Sequence, residues 1–331
     1  MAVNATPQYK KAEEEYRRAQ SVQEQIDCLE QMLVLLPKHK ASEKVQSDLK
    51  TRLKEARAEL AAEKAAPKKV GKTFRFPRQG AGQIVILGGP NAGKSRLLAE
   101  LTSARPEVAP YPFTTREPQP GMMPWEDVVV QLIDTPPITD SFFEAYLQNI
   151  IRSADAALLC FDGSSDDAPD HTGEVIRQIE SRKTLLARES GFVEDDLTQV
   201  RVQTLLVPTR ADDPGRADRI AYFEEIYPSR FAVQPVEFDR PDSIAALRDR
   251  VYRMLNVIRV YTKAPGKPAE YKSPFTIPAG GTVENLAEKV HKDLAAKLTH
   301  ARIWGTSAHD GQSVGRDHVL VDRDLVELHG T

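Results

Sequence analysis

A chain of 331 residues exceeds a single small module and is about the length of two domains. Its 45 Lys and Arg against 48 Asp and Glu leave a net charge of −3, which excludes a global positive field and confines any RNA contact to a local patch. With 40% hydrophobic residues a core can be buried, yet no uncharged apolar run reaches the roughly 18 residues of a membrane span and no signal-like stretch opens the chain, so a soluble, cytoplasmic protein with no membrane partner is expected.

Over residues 8–36, Tyr9, Ala12, Tyr16, Ala19, Val22, Ile26, Leu29, Leu33 and Leu36 recur at steps of three and four, one apolar stripe down a helix that Pro37 stops. After Lys38-His39-Lys40, Ser42 can cap a second helix with the stripe Val45, Leu49, Leu53, Ala56 and Leu60. The spacing predicts an α-helical hairpin over 1–65, packed on itself or a neighbour or offered to a protein partner. A linker over 66–78 follows, where Pro67 and charges break the pattern.

From Gln83 the texture changes to short apolar runs at 84–87, 128–133, 156–161, 203–207 and 232–238, separated by helical stretches. Runs apolar on both faces belong to strands covered on both sides, so residues 79–260 are expected to form an α/β domain with a mostly parallel, doubly wound sheet. Beyond a Pro-rich stretch at 262–268, residues 261–331 read as a small α+β module. It has two short strands, a helix at about 283–298 and a final strand over 318–328. Trp304 is expected in its core, whereas Trp125 is placed in a loop. Cys28 and Cys160 stand far apart and suggest neither a metal site nor an oxidising compartment.

Gly88-Gly89-Pro90-Asn91-Ala92-Gly93-Lys94-Ser95 matches the phosphate-loop pattern between a strand and a helical stretch that starts with Arg96. Glycine frees consecutive N–H groups to wrap phosphates at a helix N-terminus, Lys94 supplies charge at the β- and γ-phosphates, and Ser95 places a hydroxyl on Mg2+. Three later segments sit in the order that GTP requires. Tyr111-Pro112-Phe113-Thr114-Thr115-Arg116 offers Thr115, with Thr114 as its substitute, to Mg2+ and the γ-phosphate. Asp134 ends a strand where it can hold Mg2+ through water. Thr209-Arg210-Ala211-Asp212 ends another, where the Asp212 carboxylate can accept hydrogen bonds from guanine that adenine cannot give.

These motifs resemble the Obg and developmentally regulated group of GTP-binding proteins. Residues 36–43 resemble the helical region before the GTPase domain, and 111–115 are similar to the group's switch motif. Pro274-Phe275, Gly280-Gly281-Thr282-Val283, His291-Lys292-Asp293-Leu294, Ala301-Arg302-Ile303-Trp304-Gly305 and Val319-Leu320-Val321-Asp322 look like a TGS domain. The resemblance implies a P-loop GTPase domain, a C-terminal β-grasp module associated with ribosome or RNA binding, and slow Mg2+-dependent hydrolysis of GTP to GDP. It implies catalytic roles for Lys94 and Thr115, metal roles for Ser95, Thr115 and Asp134, and nucleotide contacts from 88–96, Asp134, Thr209, Arg210 and Asp212. Asn91 is similar to the asparagine that helps hold K+ in related GTPases, with a plain turn role as the alternative.

The chain also departs from the group. Pro137 stands at the glycine whose N–H would bond the γ-phosphate, and Ile138 where many GTPases keep glutamine, or where a packed helix starts. Arg210 replaces lysine. Only Phe238-Asp239-Arg240 lies near the last base-recognition motif, and residues 162–203 leave no room for the domain that the developmentally regulated branch inserts. A hydrolysis-deficient, nucleotide-responsive scaffold that binds ribosomes or RNA is therefore the rival reading, and a P-loop kinase a distant third. His291, Lys292 and Arg302 are expected to form an RNA-facing patch or a solvated face. The aspartates Asp155, Asp162, Asp166, Asp167 and Asp170 fit no EF-hand spacing.

Overall fold

Three helices open the computed structural model, which describes residues 6–19, 21–36, 42–65, 74–102, 117–193 and 196–330. They are α1 (Pro7–Arg18), α2 (Val22–Leu35) and α3 (Glu43–Ala65). The single helix expected over 8–36 is thus two. Ser21 takes extended backbone angles and its hydroxyl accepts the Glu24 N–H, so a side-chain cap restarts the helix. The apolar stripe survives the break, because Tyr9, Ala12, Tyr16, Ile26, Leu29 and Met32 bury together with Leu49 and Ala56 of α3. The Pro37 stop and most of the linker lie outside the described residues. These helices also dock on the central domain: Tyr16 stacks on Phe192 at 5.8 Å, and the buried Arg17 Nη1 donates to the Ala154 carbonyl at 3.0 Å.

The central domain runs β1 (Gln83–Leu87), α4 (Lys94–Leu101), β2 (Gln119–Trp125), β3 (Val128–Asp134), α5 (Ala145–Ser153), β4 (Ala156–Asp162) and α6 (Ala168–Glu180). It continues with β5 (Thr184–Ala187), β6 (Gly191–Val193), β7 (Asp196–Thr209), α7 (Arg216–Ile226), β8 (Ala232–Val233) and α8 (Pro241–Met254). The sheet order is β2-β3-β1-β4-β7-β5, with β6 and β8 also paired to β7, and β3, β1, β4 and β7 run parallel. Every residue of β1 is buried because helices cover both faces. Val85 and Leu87 pack with Leu147 and Ile176, whereas Ile84 and Ile86 pack with Leu97, Leu98 and Val251.

The sequence pattern missed β2, since Pro120, Gly121 and Pro124 all depress strand propensity. An edge strand tolerates prolines, and among the described residues β2 pairs only with β3. Trp125 therefore ends a strand rather than lying in a loop. The run at 232–238 shortens to β8, while β7 extends on both sides of 203–207.

The second sheet is built from β9 (Val257–Lys263), β10 (Phe275–Pro278), β11 (Leu298–Trp304), β12 (Gln312–Val314) and β13 (Asp324–Gly330), in the order β10-β9-β13-β11-β12. Helix α9 (Val283–Val290) lays Val283, Leu286 and Ala287 against Val260, Ala301, Ile303 and Val326. Four differences from expectation are local. β9 pairs with β10 and β13, so the module begins before Tyr261. The helix expected over 283–298 breaks at His291, whose extended backbone ends α9 and whose ring caps α10 (Lys292–Lys297). Residues 318–323 contribute only a Val319–Thr282 bridge to the strand expected there. Trp304 alternates with the core residue Ile303, so it lies half-buried outside the core, where the Lys263 ammonium covers its ring at 4.0 Å. Among the described residues no helix is long and apolar enough to cross a membrane.

Candidate nucleotide site

The loop between β1 and α4 is shaped by residues that accept left-handed backbone. Asn91 has φ 57° and Gly93 φ 87°, and a Cβ on Gly93 would meet the Thr209 side chain at 3.1 Å. Helix α4 begins directly after Gly93 with no side-chain cap, so its first N–H groups face the loop, the arrangement that binds phosphate. Lys94 folds back over the loop, and its Nζ donates to the carbonyls of Gly88 at 3.0 Å and Gly89 at 2.8 Å. Burial pulls the ammonium below the ordinary lysine pKa, and the neighbouring Asp134 carboxylate opposes that fall. The same lack of water pushes the Cys160 thiol, beside this pair, up to about 12.

Asp134 is fully buried at the end of β3, and Ser95 Oγ donates to its Oδ2 at 2.7 Å. Thr135 is anchored by its hydroxyl to the Ile86 carbonyl at 2.7 Å. Pro136 and Pro137 are buried, and the Ile138 N–H donates to the Gly88 carbonyl at 3.3 Å. The Ile138 side chain packs in the core with Val85, Leu147 and Phe161. No helix starts there, since α5 begins at Ala145. Thr114, Thr115 and the rest of 111–116 lie outside the described residues.

At the end of β7, the single Thr209 hydroxyl proton is shared between the carbonyls of Ala92 at 3.1 Å and Phe161 at 3.2 Å, and so ties the base-side turn to the phosphate loop. Arg210, at φ 50°, reaches the Asn91 carbonyl at 3.2 Å and pairs with Asp162 at 2.5 Å. Asp212 is exposed on the following turn, while its neighbour Asp213 is taken by Arg219 at 2.7 Å. Thus 88–96, Asp134, Thr209, Arg210 and Asp212 gather at the C-terminal edge of the parallel sheet, where ligands of open α/β sheets bind.

Two neighbours join the site: the segment with Phe238-Asp239-Arg240, placed near the last base-recognition motif with no role assigned, and His171, which no motif singled out. The Ala211 N–H donates to the Val236 carbonyl at 3.3 Å, which brings 236–239 beside the base-side turn. Phe238 there lies 4.7 Å under the Arg96 guanidinium, and Asp239 pairs with Arg96 at 3.1 Å. His171 approaches Gly89, its Cβ 3.7 Å from where a Cβ on Gly89 would stand. Motif order places Phe238 and Asp239 near the base side but not their Arg96 partner, and nothing marks His171, because both contacts depend on how loops from distant strands meet.

Three of the five aspartates pair with arginines: Asp155 with Arg18 and Arg78, Asp162 with Arg210 and Asp166 with Arg219. Of His291, Lys292 and Arg302, expected to form an RNA-facing patch or a solvated face, the Lys292 side chain lies outside the described residues, and the other two lie on opposite sides of the module. His291 sits between α9 and α10 on the helical side, whereas Arg302 alternates with the core residues Ala301 and Ile303 and faces the opposite side of the sheet.

A family model described as 50S ribosome-binding GTPase matches residues 83–189, and a TGS domain model matches 258–329. An uncharacterized GTP-binding protein of Methanocaldococcus jannaschii is 26% identical over 363 aligned positions, which cover 93% of this chain and 92% of that protein. GTP-binding protein 1 of Schizosaccharomyces pombe is also 26% identical, covering 93% of this chain and 99% of its own. An alignment of 363 positions exceeds the 331 residues present, so these relatives carry segments that this chain lacks. Among the described residues, α6, β5 and β6 lie between β4 and β7. In fold, the Schizosaccharomyces pombe YchF GTPase superposes with a TM-score of 0.51 at 14% identity, covering 78% of this chain and all of that one.

Proposed function

Since the chain belongs to the Obg-like and developmentally regulated group of GTP-binding proteins, with a P-loop GTPase domain and a C-terminal TGS domain, we propose that it hydrolyses GTP to GDP and phosphate with Mg2+. We further propose that it acts in the cytoplasm on ribosomes or structured RNA through the TGS domain. The observation that carries the reading is the closure of the phosphate loop on the β7 turn: Thr209 and Arg210 bond to Ala92 and Asn91, so phosphate and base would be read from one rigid edge.

Lys94 and the loop amides neutralise charge that develops on the phosphates. The oxygens of Ser95 and Asp134, 2.7 Å apart, fit the hard-oxygen preference of Mg2+, with Asp134 acting through water. When bound, the ion neutralises phosphate charge and orients the γ-phosphate. Thr115 is assigned to the same ion and Asp212 to the guanine edge. K+ is assigned beside the exposed Asn91, where it would add positive charge at the phosphates. The divisions proposed are the helical unit 1–65, the linker 66–78, the GTPase domain from 79, and the TGS module, whose start moves from 261 to Val257.

Single-turnover hydrolysis of GTP, with and without ribosomes, tests the reading. Hydrolysis is expected to be slow alone, faster with ribosomes, and faster in KCl than in NaCl at equal ionic strength, with Asn91→Ala erasing the salt difference. Equal rates in both salts would leave Asn91 a turn residue only. A chain ending at Leu255 should keep nucleotide binding but fail to sediment with ribosomes, and full-length binding should weaken steeply with salt. Full co-sedimentation of the short chain would move the contact to the helical unit or the GTPase domain.

One observation favours the rival scaffold reading: the buried Pro137 has no N–H for a γ-phosphate. A hydrogen bond to a charged group contributes about 1.5–3 kcal/mol, so its loss removes an order of magnitude or more of preference for GTP over GDP. Pro137→Gly should raise the affinity for a non-hydrolysable GTP analogue relative to GDP about tenfold, less the backbone entropy that the looser glycine loop loses when the γ-phosphate orders it. An unchanged ratio of the two Kd values would show another donor at work.

A further inference from the structure

The tip of the β2–β3 hairpin is held by the other domain. Trp125 pairs with Val128 across a two-residue turn, Glu126 and Asp127, and Glu126 sits at φ 46°, a strained setting for a side chain with a Cβ. Both carboxylates are taken by Arg259 of β9: its Nη1 donates to Glu126 Oε2 at 2.5 Å and to Asp127 Oδ1 at 2.8 Å. The other side of the guanidinium donates to Asp322 through Nη2 at 2.7 Å and Nε at 3.2 Å. Tyr261 donates its hydroxyl to Asp127, and Arg323 reaches Glu126 at 2.7 Å. The guanidinium lies 4.9 Å from the centre of the Trp125 ring, which stacks at 3.6 Å on Tyr252 of α8.

With its side chain 4% exposed, Arg259 is no rim salt bridge. Three carboxylates, Glu126, Asp127 and Asp322, converge on this one guanidinium, so its loss would leave like charges crowded at the turn, which is costly. At the opposite end of the hairpin Gln119 pairs with Asp134, the carboxylate that meets Ser95. At Gly121 β2 lies so close to α4 that a Cβ there would come within 2.8 Å of the Leu98 side chain and 3.1 Å of Thr102. Helix α4 starts at Lys94. One hairpin therefore touches the phosphate-loop helix at Leu98 and Thr102 through Gly121 and the C-terminal domain at its tip.

We propose that the C-terminal domain controls nucleotide release by gripping the β2–β3 turn through Arg259. The proposal rests on the nucleotide-site reading above. The hairpin has two states, gripped and released. In the gripped state β2 is pressed on α4 and the phosphate loop is held closed; in the released state the strained turn relaxes and nucleotide leaves faster. Coupling is reciprocal, so a ligand on the C-terminal domain that draws Arg259 away would speed GDP release, and nucleotide would in turn alter the affinity for that ligand.

The test uses the full chain with Trp304→Phe, so that Trp125 is the single tryptophan. Glu126→Gln with Asp127→Asn removes both charges from the turn, and Arg259→Lys keeps the charge but loses the bidentate fork. Both changes should speed release of a fluorescent GDP analogue by at least about fivefold and make Trp125 more open to acrylamide quenching. The turn variant guards against misfolding of the C-terminal domain, since it leaves β9 and Asp322 intact. Greater quenching with release unchanged within about twofold would show a contact that joins domains without controlling the site. Unchanged quenching would show that Arg259 does not hold the turn, and either result overturns the proposal. A parent protein that binds no guanine nucleotide would overturn the nucleotide reading itself, and the coupling with it.

Discussion

Asp212→Asn is expected to lower GTP affinity by about a hundredfold or more and to raise affinity for xanthine nucleotides. The carboxylate would accept from two guanine N–H groups, and each hydrogen bond to a charged group contributes about 1.5–3 kcal/mol. An amide turned to accept one donor presents its own NH2 to the other, so guanine meets a mismatch while the xanthine oxygen finds a donor. The surroundings make the change readable as chemistry rather than damage. Asp212 is exposed and its side chain has no hydrogen bond or ion pair among the described residues, whereas Thr209, Arg210 and Asp213 carry the structural contacts of the turn. A competition titration with GTP, XTP and ATP measures the exchange. Parallel loss of all three, or none, would remove Asp212 from the base site.

Lys94→Met should abolish nucleotide binding without lowering the stability of the nucleotide-free protein. Removing an ammonium from two phosphates forfeits charged hydrogen bonds of about 1.5–3 kcal/mol each, again about a hundredfold or more in affinity. In the absence of nucleotide the balance reverses. Lys94 is desolvated, and its folded-state pKa lies below the ordinary value of 10.5. A base whose pKa falls on folding binds fewer protons folded than unfolded, so its charge opposes folding at neutral pH. That opposition fades as pH rises from the depressed value toward 10.5. Methionine removes the opposition at once, although the Gly88 and Gly89 carbonyls lose a donor, which offsets part of the gain. The thermal midpoint of Lys94→Met should equal or exceed that of the wild type at pH 7, and their difference should shrink toward pH 10. A variant that keeps GTP affinity within about threefold, or loses its midpoint at pH 7 by several degrees, would contradict the burial argument.

Much of the candidate site was legible before any fold was known, because phosphate binding is written in contiguous residues. Gly93 must take a positive φ, Lys94 must follow it, and a helix must start there, and all of this is local. The same holds for Asp134 and Asp212 at the ends of runs that read as strands. The two-sided burial of β1 also followed from its unbroken apolar run.

Contacts between distant segments left no such trace. Phe238 and Asp239 reach Arg96 across 142 and 143 positions, and of the residues expected to form an RNA-facing patch or a solvated face, Arg302 is turned from the helical side that holds His291 because alternate residues of a strand face opposite sides of the sheet. β2 was hidden by its prolines, although edge pairing makes them harmless. Sequence by itself determined the phosphate loop, the α/β rhythm and the apolar stripes of the N-terminal helices, since each depends on backbone angles and periodicity within a few residues. Tertiary structure alone decided that those helices dock on Phe192 and Ala154, that Ile138 enters the core, and that Arg259 closes on Glu126 and Asp127. A charged or apolar side chain finds its partner through space, and the free energy of that pairing is set by the burial and geometry that only the packed chain supplies.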